Sequence, residues 1–170
     1  MFRPLTVLAL GLALLSGCSS ARQAAVVKIS ANEVQALATR PGAKATLVNV
    51  WATWCAPCRE EFPTLVQVGE KRRADGLRLV FVSADPEDQI RQVRKFLSAK
   101  GVADTAYIIS GDTNDFINTL NPKWTGAIPA TFVYDSRGEL ASFWEGAADE
   151  DRFNQSVDQA IAARSTEETH

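Results

Sequence analysis

Two cysteines spaced by two residues, in Trp54-Cys55-Ala56-Pro57-Cys58, are the side chains of this sequence best suited to chemistry. They follow an apolar run and precede a stretch of helical character, so they fall at a helix N-terminus. Unpaired N–H groups and the positive end of the helix dipole meet there. Both favour a thiolate over a thiol, and thiols so placed fall from about 8.5 to about 3.5–7.5 in pKa. Cys55, at the cap and partly exposed, is the expected nucleophile. Cys58, inside the first turn, is close enough to attack a mixed disulfide formed on Cys55. Pro57 fits the first turn, because its missing N–H would have no partner within the helix.

Other uses of the pair are weaker. The chain has 170 residues but three cysteines and one histidine. A zinc site takes four ligands, and the candidates beyond the pair are Cys18 and the final residue, His170. A permanent structural disulfide would close a loop too short to constrain much of the unfolded chain, and an exposed cap would leave it labile. Redox exchange is the expected chemistry, with the Cys55–Cys58 disulfide as the redox centre and no metal or added cofactor. The composition suits one packed domain: 46% of residues are hydrophobic and 22% charged. A net charge of −2 offers no basic face for nucleic acid.

Cys18 reads as an address rather than a reactive thiol. Arg3 precedes an apolar run from Leu5 to Leu15. That run is shorter than the roughly 20 residues a membrane span needs, and fits the apolar part of a secretory signal. Leu15-Ser16-Gly17-Cys18 resembles the bacterial lipobox. The resemblance implies a signal peptide over 1–17 and lipidation of Cys18, with 18–25 as a short tether. The domain would then be held at the membrane by lipid, on the extracytoplasmic (periplasmic) side of the cell envelope. Ser19 stands where an Asp would signal retention at the inner membrane of a Gram-negative cell.

The elements that must position the pair follow from patterning. Val26–Ile29 is expected to be an edge strand. Ser30 and Glu33 have capping-box spacing and open a helix that Pro41-Gly42 ends. Ala45–Trp51 is a near-continuous apolar run, as in a strand buried on both faces. The cysteines then open a helix running to about Arg73, whose Lys71, Arg72 and Arg73 suit a helix C-terminus. Leu77–Ser83 is a second buried strand. Asp85-Pro86 is expected to start a helix to about Lys100, closed by Gly101. Thr105–Ser110 is a third strand candidate and Asp112–Leu120 a short helix. Ala130–Tyr134 and Glu139–Trp144 flank a turn at Asp135-Ser136-Arg137-Gly138, as in a hairpin. Asp149–Arg164 has one apolar face built from Phe153, Val157, Ala160 and Ile161. Strand–helix units followed by a hairpin predict an α/β domain, with a central mixed sheet flanked by helices.

The segment Asn49-Val50-Trp51-Ala52-Thr53-Trp54-Cys55-Ala56-Pro57-Cys58-Arg59-Glu60-Glu61-Phe62-Pro63 resembles the active-site segment of thioredoxin-like proteins. Among these it is most similar to the membrane-tethered extracytoplasmic oxidoreductases of the TlpA/ResA type. Ile128-Pro129-Ala130-Thr131-Phe132 resembles their cis-proline loop. The resemblance covers about 26–165, and leaves 166–170 as a flexible tail. It implies a thioredoxin-like fold with a βα insertion before the cis-Pro loop, Pro129 in cis facing the disulfide, and Ile128 pairing with an incoming peptide. Trp54, with Ala56 and Pro57, would contact that substrate. Trp51, Phe143 and Trp144 would pack in the core, with Trp124 nearer the site. Pro63 falls where thioredoxins kink the active-site helix. The implied activity is reduction of protein disulfides by a monomer, possible targets being apocytochrome c thiols, with electrons from a membrane thiol reductant.

The sequence departs from the family pattern at the proton acceptor. Asn49 stands where thioredoxin has a buried Asp, and Ala56 where some relatives place a Glu between the cysteines. Glu60, Glu61 and Asp85 read as solvated charges at helix starts, which leaves the acceptor unassigned. Two rival functions differ in kind. A copper-binding or delivery module on the same fold would use two thiolates and a histidine, and the sole His is terminal. A peroxidase-like relative would need a single peroxidatic Cys rather than a capping C-x-x-C pair.

Overall fold

The computed structural model describes residues 24–163. Cys18, the proposed signal segment and the tail at 166–170 lie outside the described residues. Six strands form one sheet: β1 (Val26–Ile29), β2 (Ala45–Trp51), β3 (Leu77–Ser83), β4 (Ala106–Ile109), β5 (Ala130–Asp135) and β6 (Leu140–Glu145). Their order is β1-β4-β3-β2-β5-β6. The pairs β1·β4, β4·β3 and β3·β2 are parallel, whereas β5 runs antiparallel to both β2 and β6. The sheet is therefore mixed, and β1 is an edge as its short sequence implies. Every residue of β2 is buried, the signature of a central strand covered on both faces.

Five α-helices cover the faces: α1 (Ala31–Ala38), α2 (Ala56–Arg72), α3 (Ile90–Ala99), α4 (Thr113–Leu120) and α5 (Glu150–Ala162). One core gathers Phe62 and Leu65 of α2, Val93 and Leu97 of α3, and Phe153 and Val157 of α5. The other gathers Val34 of α1 with Phe116 and Leu120 of α4. The alternation along β2 sends Leu47 and Trp51 to the first core and Val48 and Val50 to the second. Phe62 fixes α2 on the sheet. Its ring stacks on Phe81 at 4.3 Å and meets the edges of Trp51 and Phe96 at 4.9 and 5.0 Å. At the far end of α2, Arg72 donates to Asp75 and Asp158 and so ties the helix to α5.

The Ser30 capping box forms as the sequence implies, with the Glu33 carboxylate accepting from Ser30 N–H at 2.7 Å. The helix expected from Asp85 starts later. Pro86 is extended (φ −54°, ψ 143°), a 3₁₀ turn spans Glu87–Gln89, and α3 begins at Ile90. The cause is that the Asp85 carboxylate accepts from Thr53 and Ser83 instead of capping its own helix. Between β3 and the proline loop lie α3, β4 and α4, and β4 sits between β1 and β3 in the sheet. No helix among the described residues is long and apolar enough to cross a membrane.

Candidate active site

Strand β2 ends at Trp51, deep in the core, and Ala84 N–H donates to the Trp51 carbonyl at 2.7 Å. Ala52, Thr53 and Trp54 then turn the chain into α2, with Cys55 N–H donating to Ala52 O. Cys55 is the N-cap of α2. It is bonded to Cys58, with the two Cα atoms 5.3 Å apart. Cys58 N–H also donates to Cys55 Sγ at 3.2 Å, as a capping side chain requires. That N–H and the helix dipole would both favour a Cys55 thiolate once the bond is reduced. The cap is where the sequence puts it, but the exposure is smaller than expected. Cys55 is 5% exposed and Cys58 1%, and both belong to the core cluster against which Ile128 packs.

The Ile128–Pro129 peptide bond is cis. The Ile128 carbonyl oxygen lies 3.7 Å from Cys55 Sγ, so the two segments singled out in the sequence meet, 73 residues apart. The loop before Ile128 is tied down on both sides. Trp124 Nε1 donates to Ala127 O at 2.9 Å, and Thr125 donates from N and Oγ1 to Glu145. Gly146 N–H donates to Pro129 O. Trp124 is thus a buried brace of the loop rather than part of its surface. Trp54 stands out from the rim at 63% exposed, and Ala56 and Pro57 are exposed beside it. Trp51 and Trp144 are core residues, while Phe143 is half-buried and stacks on Phe132.

Two of the three carboxylates read as solvated are not. Glu60 is exposed, but Glu61 and Asp85 are 5% and 3% exposed. Glu61 Oε1 accepts from Asn49 Nδ2 at 3.0 Å, and Oε2 accepts from Ala148 N–H at 2.9 Å. Asn49 also donates to Thr131 Oγ1 at 3.1 Å. Burial pushes the Glu61 carboxyl above the ordinary carboxylate value, and outweighs the two donors that pull it down. A signal for this was in the sequence. Cys58, Glu61, Phe62, Leu65, Val68 and Gly69 form one buried helix face, and residues three apart on a helix are neighbours. Glu61 therefore lies one turn below Cys58 on the face turned to the sheet. The buried carboxylate beside position 49 therefore comes from α2 and not from β2.

A cavity of about 510 Å³ lies at the opposite end of the sheet, lined by Val66, Gly69, Arg73, Leu79 and Val102 among others. Neither cysteine lines it.

A mixed sheet with helices on both faces, a capping C-x-x-C disulfide and a facing cis-proline define a thioredoxin-like domain. The chain belongs to the AhpC/TSA family, whose model matches residues 20–143. It is 32% identical to the thiol:disulfide interchange protein HelX of Rhodobacter capsulatus over 120 residues, which is 70% of this chain and 62% of that protein. It is 33% identical over 129 residues to the thiol:disulfide interchange protein DsbE homolog of Paracoccus denitrificans, covering 73% of this chain and 64% of that one. The chain thus spans less than two thirds of the length of either relative. A thioredoxin family thiol:disulfide interchange protein of Chlorobium tepidum superimposes with a TM-score of 0.57 at 30% identity, over 69% of this chain and 80% of that one.

Proposed function

We propose that this protein is a thiol–disulfide oxidoreductase that reduces protein disulfides through Cys55 and Cys58. The observation that carries the reading is the Cys55–Cys58 bond at the N-cap of α2, facing the cis Ile128–Pro129 segment. In the reduced protein the Cys55 thiolate attacks one sulfur of a substrate disulfide. The substrate S–S bond breaks, and the leaving sulfur departs as a thiolate that takes up a proton. Cys58 then loses its proton and attacks Cys55 Sγ, which breaks the mixed disulfide and releases the second substrate thiol. Two electrons pass to the substrate and the protein is left oxidised. Glu61, buried one turn from Cys58 with a raised affinity for protons, is the group assigned to take the Cys58 proton. Trp54, Ala56 and Pro57 form the substrate rim, and Ile128 and Pro129 offer backbone to an extended peptide.

The finer assignments rest on the sequence and on resemblance. Cys18 carries the lipid, the domain works as a monomer on the extracytoplasmic side of the envelope, and a membrane thiol reductant restores the dithiol. The names of the HelX and DsbE relatives support interchange chemistry. Cytochrome c maturation is the pathway proposed from the resemblance.

Reduced protein mixed with a disulfide-bonded peptide tests the central claim. Release of peptide thiols with oxidation of the Cys55–Cys58 pair is expected. Cys55→Ser should abolish it, and Cys58→Ser should accumulate a mixed disulfide on Cys55. Full activity in Cys55→Ser overturns the mechanism.

A further inference from the structure

Asp85 is a carboxylate that the exchange scheme above does not use, and its surroundings are unusual. It is 3% exposed, and its hydrogen-bond partners are donors without charge. Oδ2 accepts from Thr53 N–H at 2.9 Å and from Ser83 Oγ at 2.7 Å, and Oδ1 accepts from Thr53 Oγ1 at 2.5 Å. Asp85 N–H in turn donates to Ser83 Oγ at 3.0 Å. Burying a carboxylate is costly unless such donors meet it, so the cluster holds its geometry strongly. What it holds is the turn between β2 and Cys55.

Sheet register explains why Asp85 can reach. Trp51 pairs with Ser83 at the C-terminal ends of adjacent parallel strands. The chain leaving β3 therefore passes beside the chain leaving β2. Thr53 is two residues before Cys55, about 7 Å of chain at most. When the disulfide opens, the covalent link fixing Cys55 to the first turn of α2 is lost. The Asp85–Thr53 bonds do not depend on that link.

We propose that Asp85 is a positioning residue for the cysteine pair: through Thr53 it keeps Cys55 at the helix cap in the dithiol form, and its negative charge beside that turn biases the pair toward the disulfide. The second effect follows from sign. A negative charge near the cap opposes the helix dipole and disfavours a Cys55 thiolate, and a destabilised dithiol is a stronger reductant. This inference rests on the exchange function proposed above.

The test uses the full chain equilibrated with reduced and oxidised glutathione, with the exchange rate measured in parallel. Asp85→Asn removes the charge and keeps an oxygen acceptor for Thr53 N–H. It is expected to move the equilibrium toward the dithiol by about tenfold, or about 30 mV. Thr53→Val removes the hydroxyl bond and keeps the charge. It is expected to slow exchange several-fold while leaving the equilibrium within about twofold of the parent. An Asp85→Asn equilibrium equal to the parent's, or shifted toward the disulfide, overturns the charge effect. An unchanged exchange rate in Thr53→Val overturns the positioning effect. If the parent protein itself fails to exchange with glutathione, it is the proposed function that fails.

Discussion

Asn49 Nδ2 donates to Glu61 Oε1 over 3.0 Å, and both side chains are closed to solvent. Asn49 Oδ1 has no hydrogen-bond partner among the described residues. The amide can therefore serve either protonation state of the acid. Its N–H₂ donates to a carboxylate, and after a flip its oxygen accepts from a carboxylic acid. An Asp at position 49 would place a second acid against Glu61 and raise the proton affinity of the pair further.

Glu61 should make folding less favourable as pH rises. Its pKa in the folded chain lies above the ordinary 4.5, so the folded chain holds a proton that the unfolded chain has released. The stability this contributes is full below about 4.5 and is lost as pH rises through the folded-state value. Glu61→Gln removes the titration. Thermal unfolding followed upward from about pH 4 should show the variant gaining on the parent protein. Resolution of the mixed disulfide at neutral pH should slow about 100-fold or more.

Asp135 should act in the opposite sense. Burial alone would raise its pKa, but the N–H groups of Glu139 and Arg137 and the Arg137 guanidinium outweigh burial and hold it below 3.8. Its contribution is present above the unfolded value and is lost as pH falls through the folded one. Asp135→Asn is expected to cost about 1–3 kcal/mol at neutral pH, measured by urea unfolding. The gap should narrow on acidification, because the parent loses its advantage there.

Trp54 should matter for binding and not for folding. At 63% exposed it contributes little buried area. Trp54→Ala is expected to unfold within about 0.5 kcal/mol of the parent. The KM for a disulfide-bonded protein should rise about tenfold, as for an aromatic contact at an interface. A small peptide disulfide, or glutathione itself, should lose less.

Phe62 links the core to the site. The ring is fully buried among Phe81, Trp51 and Phe96, one residue after Glu61 and four after Cys58. Phe62→Ala should destabilise the fold by about 3–5 kcal/mol, read from denaturant midpoints at unchanged slope. Phe62→Leu keeps more of the volume and should cost less.

Much of this protein was legible in its residues. The apolar run of β2, the capping box at Ser30, the C-x-x-C cap and the glycine-bearing hairpin are local signals, each carried by a few adjacent side chains. They were enough to place the strands and helices and to find both cysteines. The later start of α3 was not legible, because Asp85 looks like a helix cap until the Thr53 backbone is brought beside it. Glu61 was half legible. Helix spacing puts it on the face of Cys58 and Phe62, but charge at a helix start is ordinarily solvated, and only Asn49 and the Ala148 N–H make burial tolerable.

Sequence alone determined the chemistry: two thiols at a helix cap, in a chain whose only other cysteine stands in a lipobox-like segment. It could do so because capping and dipole effects act within one turn. Tertiary structure decided which groups surround those thiols. Ile128 approaches Cys55, Glu61 meets Asn49, and Asp85 grips Thr53 across separations of 73, 12 and 32 residues. Such contacts are set by strand register and by which helix covers which face, and these are properties of the packed sheet.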